Sequence, residues 1–196
     1  MNFSMFYNYH HLGDVLLISF IDEEVTNHER RGQIEVLYHE NELVGYNIFD
    51  ISKIMKIRAE GLIVLPPNAL IDAINSLLLK EGLTKLTHVE RSNFVIGEVV
   101  SSEKLIGKYL IKVNIGESVI NTINKENIES GTKVVIAISG ATLFDNSRID
   151  VSLIDGVKIE GKLCSKKDLN TEDSDDLLII DDDSNIGTDF FMQEVK

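Results

Sequence analysis

Few side chains in this sequence have the types and spacing that chemistry demands. The five histidines are His10, His11, His28, His39 and His88. No pair has the i, i+4 spacing of a helical metal site, and the single cysteine, Cys164, has no CxxC partner, so the spacing carries no zinc site. Asp181-x-Asp183-x-Asn185 opens like a calcium loop. Its sixth position, however, is Ile186 where the turn needs glycine, and its twelfth is Met192 where a bidentate glutamate belongs. These aspartates read as solvated turn residues. Cys164 has no local base beside it and follows Leu163 in an apolar–polar alternation, which reads as a small buried hydrophobe rather than a nucleophile. The sequence contains no G-x-S-x-G, no P-loop and no Rossmann glycine pattern. The residues support no catalytic reading and imply no cofactor.

What remains is cationic. Lys104, Lys108, Lys125, Lys158, Lys162, Lys166 and Lys167 cluster in the second half, several of them beside strand patterns. Ammonium groups so placed can track a phosphate backbone with salt-sensitive affinity. Tyr109 is the aromatic interleaved with them, so base stacking adds little to this reading. The bland alternative is a solubilising surface.

The elements that would hold these lysines are short β-branched runs. They are Phe94 to Val100, Leu110 to Glu117, Gly131 to Ala137 and Gly156 to Ser165, separated by glycine and polar clusters. This spacing predicts a small five-stranded barrel. The first half reads differently. Strands are expected at Phe6–His10 and Val15–Phe20, joined around Gly13-Asp14. Asp22 to Gly32 reads as a loop or short helix. Gln33–Tyr38 and Glu42–Ile48 form a hairpin around His39-Glu40-Asn41. Ile51, Ile54, Met55 and Arg58 have helical spacing over a short stretch. The clearest helix spans Asn68–Glu81, with Leu70, Ile71, Ile74, Leu77 and Leu78 as its apolar stripe, Asn68 as N-cap and Gly82 as its stop. A helix over a small antiparallel sheet makes residues 1–90 an α+β domain. Leu83–Asn93 reads as a linker, and residues 91–196 as an all-β barrel domain whose first strand begins near Phe94. Thr171–Asp176 reads as a charged loop, Leu177–Ile180 as a buried strand, and Asp181-Asp182-Asp183 as the turn after it.

Charge narrows the function classes. The chain of 196 residues has 19 Lys and Arg against 32 Asp and Glu, net −13. Residues 1–93 carry 8 basic and 13 acidic side chains (net −5), residues 94–170 carry 10 and 10 (net zero), and residues 171–196 carry 1 and 9 (net −8). The total argues against a strong nonspecific polyanion binder, while the neutral barrel leaves room for a local basic patch. One cysteine excludes an internal disulfide. The amino terminus lacks a signal-peptide pattern and the longest apolar run, roughly Val15 to Ile21, is far short of a membrane span. A cytoplasmic protein is expected.

These residues carry a family resemblance. In the first half it rests on Phe6-Tyr7-Asn8, Gly13-Asp14-Val15-Leu16-Leu17-Ile18-Ser19 and Gly45-Tyr46-Asn47-Ile48-Phe49. In the second it rests on Phe94-Val95-Ile96-Gly97, Lys112-Val113-Asn114-Ile115-Gly116, Gly131 to Ala137, Gly161-Lys162-Leu163-Cys164-Ser165 and Asp168-Leu169. The chain resembles the YtpR-type bacterial tRNA-binding proteins over nearly its whole length. Their carboxy-terminal domain is similar to the tRNA-binding module of the phenylalanyl-tRNA synthetase beta chain. The resemblance implies an OB-fold barrel after a helix-bearing domain, with tRNA or another structured RNA as partner.

The departures lie in loops. The family's His-Pro-Asn-Ala-Asp-Lys-Leu is represented by the shorter Lys104-Leu105-Ile106-Gly107-Lys108. Its Cys-Gly-Ala-Pro-Asn is represented by Ile123-Asn124-Lys125-Glu126-Asn127, and its Ser-Glu-Gly-Met by Ile159-Glu160-Gly161-Lys162. Loss of the Met removes an apolar surface for a base, and Lys162 adds charge without a stacking plane. The expected RNA contacts are therefore Lys104, Lys108, Lys125, Asn127 and Lys162, with Lys166 and Lys167 at the periphery, in a barrel whose tRNA contacts are weakened. The alternative is an interaction module that keeps the barrel and docks a protein or a second copy of itself.

Overall fold

A computed structural model describes residues 3–180 and 183–193. The chain divides into two compact units, Met1–Glu90 and Arg91–Lys196.

The first unit is sheet-rich rather than a clear α+β domain. Strands β1 (Ser4–Tyr7), β2 (Val15–Ser19), β3 (Asn27–Arg31), β4 (Ile34–His39), β5 (Glu42–Phe49) and β6 (Gly61–Leu62) form one antiparallel sheet in the order β3-β4-β5-β2-β1-β6. Its helices are a single turn, α1 (Tyr9–Leu12), and the longer α2 (Asn68–Lys80). Buried Leu70, Ile71, Ile74 and Leu78 of α2 share one core with Met5, Leu16, Ile18, Val36, Tyr46 and Ile48 of the sheet. Asn68 is the first helical residue, not the cap. Pro67 holds that place with φ −58° and no side-chain bond, its ring pre-setting the helical entry. Gly82 ends the helix with φ +67°.

Three local expectations change. His10 lies in α1, not in a strand. Ile51–Lys53 is one 3₁₀ turn. The stretch expected as loop or helix between Asp22 and Gly32 contains β3, whose Asn-His-Glu-Arg-Arg sequence has no apolar alternation because it is an edge strand exposed along most of its length. Charge on such an edge discourages pairing with another chain.

In the second unit a long strand, β7 (Phe94–Leu105), organises a five-stranded sheet ordered β13-β10-β7-β8-β9. The others are β8 (Lys108–Asn114), β9 (Val119–Asn124), β10 (Lys133–Ile138) and β13 (Gly161–Leu163). A register shift between Val99 and Ser101 bends β7. Its first half then pairs with β10 and its second half with β8. The sheet closes on itself between β9 and the β13 end: the Glu160 N–H donates to Asn121 O (2.9 Å), and the Thr122 hydroxyl donates to Gly161 O (2.8 Å). The result is a nearly closed barrel of the OB type, filled by Val99, Ile111, Val113, Ile120, Ile128, Val134, Ile136 and Leu163. A separate hairpin, β11 (Ser152–Ile154) with β12 (Val157–Ile159), precedes β13.

The end of the chain packs on β7. Ile96 N–H donates to Thr188 O and Gly187 N–H to Ile96 O. Asp189 accepts from the Ser92 N–H and hydroxyl, both at 2.6 Å. The Phe191 ring of α3 (Phe190–Gln193) meets Phe94 edge-on at 5.1 Å. Leu177–Ile180, expected as a buried strand, instead makes isolated bridges, Ser165 with Leu177 and Val134 with Ile179, and Ile179 is 52% exposed. Asp181 and Asp182, placed by the sequence in the following turn, lie outside the described residues. No helix among the described residues is long and apolar enough to cross a membrane.

Candidate nucleic-acid interface

The barrel presents an open hollow of about 1250 Å³ where the loop after β9 faces β13 and the segment beyond it. Its apolar floor includes Ile123, Ile128, Val134, Leu163, Leu177 and Ile179. Lys108, Lys125, Asn127 and Lys162 line it, so four of the seven expected residues share one concavity. Lys162 also lines a second hollow of about 700 Å³ together with Lys167. Lys104 and Lys166 line neither.

Each position follows from local structure. Lys104-Leu105-Ile106-Gly107-Lys108 is a tight hairpin: Lys104 pairs with Tyr109 and Leu105 with Lys108 across β7 and β8. Lys125 and Asn127 sit in the exposed loop after β9, where the Asn124 amide donates to Glu126 O at 2.9 Å. Lys162 is the outward residue of β13, between buried Gly161 and Leu163.

Carboxylates meet most of these lysines. Lys108 Nζ lies 2.9 Å from Asp155, Lys162 Nζ 2.7 Å from Asp168, Lys166 Nζ 2.9 Å from Glu172, and Lys167 Nζ 3.6 Å from Asp173. The hydrogen bond that Lys166 Nζ donates to the Glu172 carboxylate raises the Lys166 pKa above the ordinary lysine value, and the attraction between the two charges adds to it. Asp168 is fixed as well, accepting the Ser165 N–H at 3.0 Å. Among the described residues, Lys104 and Lys125 have no carboxylate within ion-pair distance. The larger hollow has three lysines (Lys108, Lys125, Lys162) against five acids (Glu126, Glu129, Asp168, Asp175, Asp176), net −2.

The acidic partners were not singled out from sequence. The signal for two of them, Glu172 and Asp173, is the Glu172-Asp173-Ser174-Asp175-Asp176 run just after Lys166-Lys167, readable as a charged loop but not as one that turns back on those lysines. The apolar floor at Leu177 and Ile179 was also missed, because this short run reads as strand core. Cys164 is buried, and desolvation pushes its thiol up to about 12.

With the barrel, its hollow and a separate sheet-rich unit in place, the kind of protein is defined: a two-unit chain whose second unit carries an OB-type barrel. Residues 21–90 match a family model described as a domain of unknown function (DUF4479). The chain is 31% identical over 197 residues to the Bacillus subtilis (strain 168) protein named "Putative tRNA-binding protein YtpR", an alignment spanning 94% of this chain and 98% of that one. The chain belongs to the YtpR family. Its carboxy-terminal region is similar to phenylalanine–tRNA ligase beta subunits, with 34% identity over 97 residues in Lactococcus lactis (47% of this chain, 11% of the ligase subunit). In Fusobacterium nucleatum the figure is 36% over 104 residues (50% and 13%). Only about a tenth of each ligase subunit is spanned.

Proposed function

We propose that this chain is a non-catalytic, cytoplasmic tRNA-binding protein whose second unit, residues 91–196, is the OB-fold domain that meets the RNA. The end-to-end similarity to a relative named for tRNA binding carries this reading. The barrel-region similarity to ligase beta subunits supports it. In the proposed surface, Lys104 and Lys125 neutralise phosphate, and Asn127 offers its amide to a base or sugar edge. Lys108, Lys162, Lys166 and Lys167 contribute only after parting from their carboxylates. Contacts to tRNA are thus weaker than seven unencumbered side chains would give.

The test is tRNA binding by fluorescence anisotropy with the full chain and with Lys125→Ala/Asn127→Ala. The double variant should bind several-fold more weakly at low salt while melting normally. Unchanged affinity would remove this surface from the reading. The net −2 charge of the larger hollow favours a second reading, a barrel that docks a protein partner or a second copy of the chain. Capture of partners that survive nuclease and high salt, with no tRNA bound, would favour it.

A further inference from the structure

The loop from Lys166 to Asp176 is a built element. Lys166 N–H donates to Asp176 O and Lys167 N–H to Ser174 O, both at 2.9 Å, closing its neck. Thr171 N–H returns to Lys166 O and Asn170 N–H to Lys167 O, with Asn170 in the left-handed region at φ +55°. Its root is tied to the barrel by Asp168 N–H donating to the Ser165 hydroxyl at 3.1 Å. Four of the five residues Glu172–Asp176 are acidic and exposed. This fold directs them at the lysines: Glu172 onto Lys166, Asp173 onto Lys167, Asp175 into both hollows and Asp176 into the larger one.

We propose that this acidic loop is an intramolecular stand-in for an RNA backbone, competing with RNA for Lys166 and Lys167 and fencing the hollows beside Lys162. The inference rests on the tRNA-binding reading and adds regulation of the same surface. The contacts suit reversible competition. Glu172 and Asp173 are 62% and 94% exposed at the side chain, and exposed ion pairs hold weakly against solvent and salt. Phosphate must displace these carboxylates before it reaches Lys166 or Lys167, so the loop lowers affinity for all RNA and holds both lysines out of the wild-type complex.

The experiment compares three forms of the full chain in a tRNA salt titration. One is wild type. The second is Glu172→Gln/Asp173→Asn/Asp175→Asn/Asp176→Asn. The third is Glu23→Gln/Glu24→Gln/Glu40→Gln/Glu42→Gln, which changes net charge equally at exposed sites of the first unit. Freeing two lysines should steepen the slope of log K against log salt by roughly 1.4–1.8. The loop variant should bind about tenfold or more tighter at low salt, the control variant near wild type. Lys166→Ala/Lys167→Ala in the loop-variant background should cancel the gain. Equal behaviour of loop variant and control overturns the inference, and leaves the tRNA-binding reading standing if wild type binds. Binding by the loop variant alone supports it. No binding by any form overturns both.

Discussion

One buried hydroxyl takes part in the barrel closure, and its removal is a direct perturbation. Thr122 is 1% exposed, and its Oγ1 donates to Gly161 O at 2.8 Å between β9 and β13. Thr122→Val keeps the side-chain shape and deletes the donor, leaving the Gly161 carbonyl without that partner inside the closure. A buried acceptor so stranded costs about 1–3 kcal/mol, and the added apolar character of valine offsets a little of it. We expect a net loss of about 1–2 kcal/mol. For a unit of about 100 residues, each kcal/mol moves Tm by about 4–8 °C, so the barrel's transition should fall by roughly 4–16 °C in calorimetry. Hydrogen exchange adds a local readout. The Glu160 amide, which donates to Asn121 O beside the same seam, should lose protection. Thr122→Ser keeps the donor and loses a methyl, at about 1 kcal/mol, and should retain that protection. A Thr122→Val barrel that melts within about 1 °C of wild type, with Glu160 still protected, would show that closure does not depend on this bond.

Other outcomes follow from the same geometry. Gly97→Ala would place a Cβ 2.5 Å from Val113 Cγ1 and 3.1 Å from Asn114 O, an overpacking expected to cost about 1–3 kcal/mol in urea unfolding. Burial acts to raise the Asp14 pKa, but hydrogen bonds from the Ser52 hydroxyl and N–H and from Tyr7 outweigh it and hold the carboxyl below its ordinary value. A folded pKa below the unfolded one stabilises above the unfolded value and is lost as pH falls through the folded one. Acid unfolding of Asp14→Asn should therefore show a shallower loss of stability below about pH 4 than wild type. The Cys164 thiol, pushed up to about 12 by burial, should resist a thiol reagent at pH 8 in the native protein and react at once in denaturant.

The helix α2 was legible because its apolar stripe repeats over three turns, and β7, β8 and β10 because each carries a run of β-branched and aliphatic residues between polar turns. Strand β9 was not legible. Its Val-Ile-Asn-Thr-Ile-Asn sequence directs Ile120 and Thr122 inward, and an inward threonine satisfied by a carbonyl across the seam carries no sequence signal. Strand β3 escaped for the opposite reason, being polar on both faces. The run Gly156–Ser165 read as one strand but is two, β12 and β13, parted at Glu160, whose N–H turns to β9. At the candidate interface, residue types were readable for Lys125, Asn127 and Lys162, and loop positions for the first two, while Lys162 stands on strand β13. Their charge environment was not. Lys108 meets an acid 47 positions away, and Lys162 and Lys166 meet acids six positions on, a separation no helix or strand period predicts.

The central claim is that tRNA meets the barrel through a small set of unencumbered cations. A salt titration of tRNA binding to the wild-type chain tests it most directly. Lys104 and Lys125, which meet no carboxylate among the described residues, give a slope of log K against log salt of about −1.4 to −1.8, whereas six engaged lysines would give about −4 to −5. The account predicts measurable binding at about 50 mM salt with the shallower slope. Absence of binding there, or binding indifferent to salt, would contradict it.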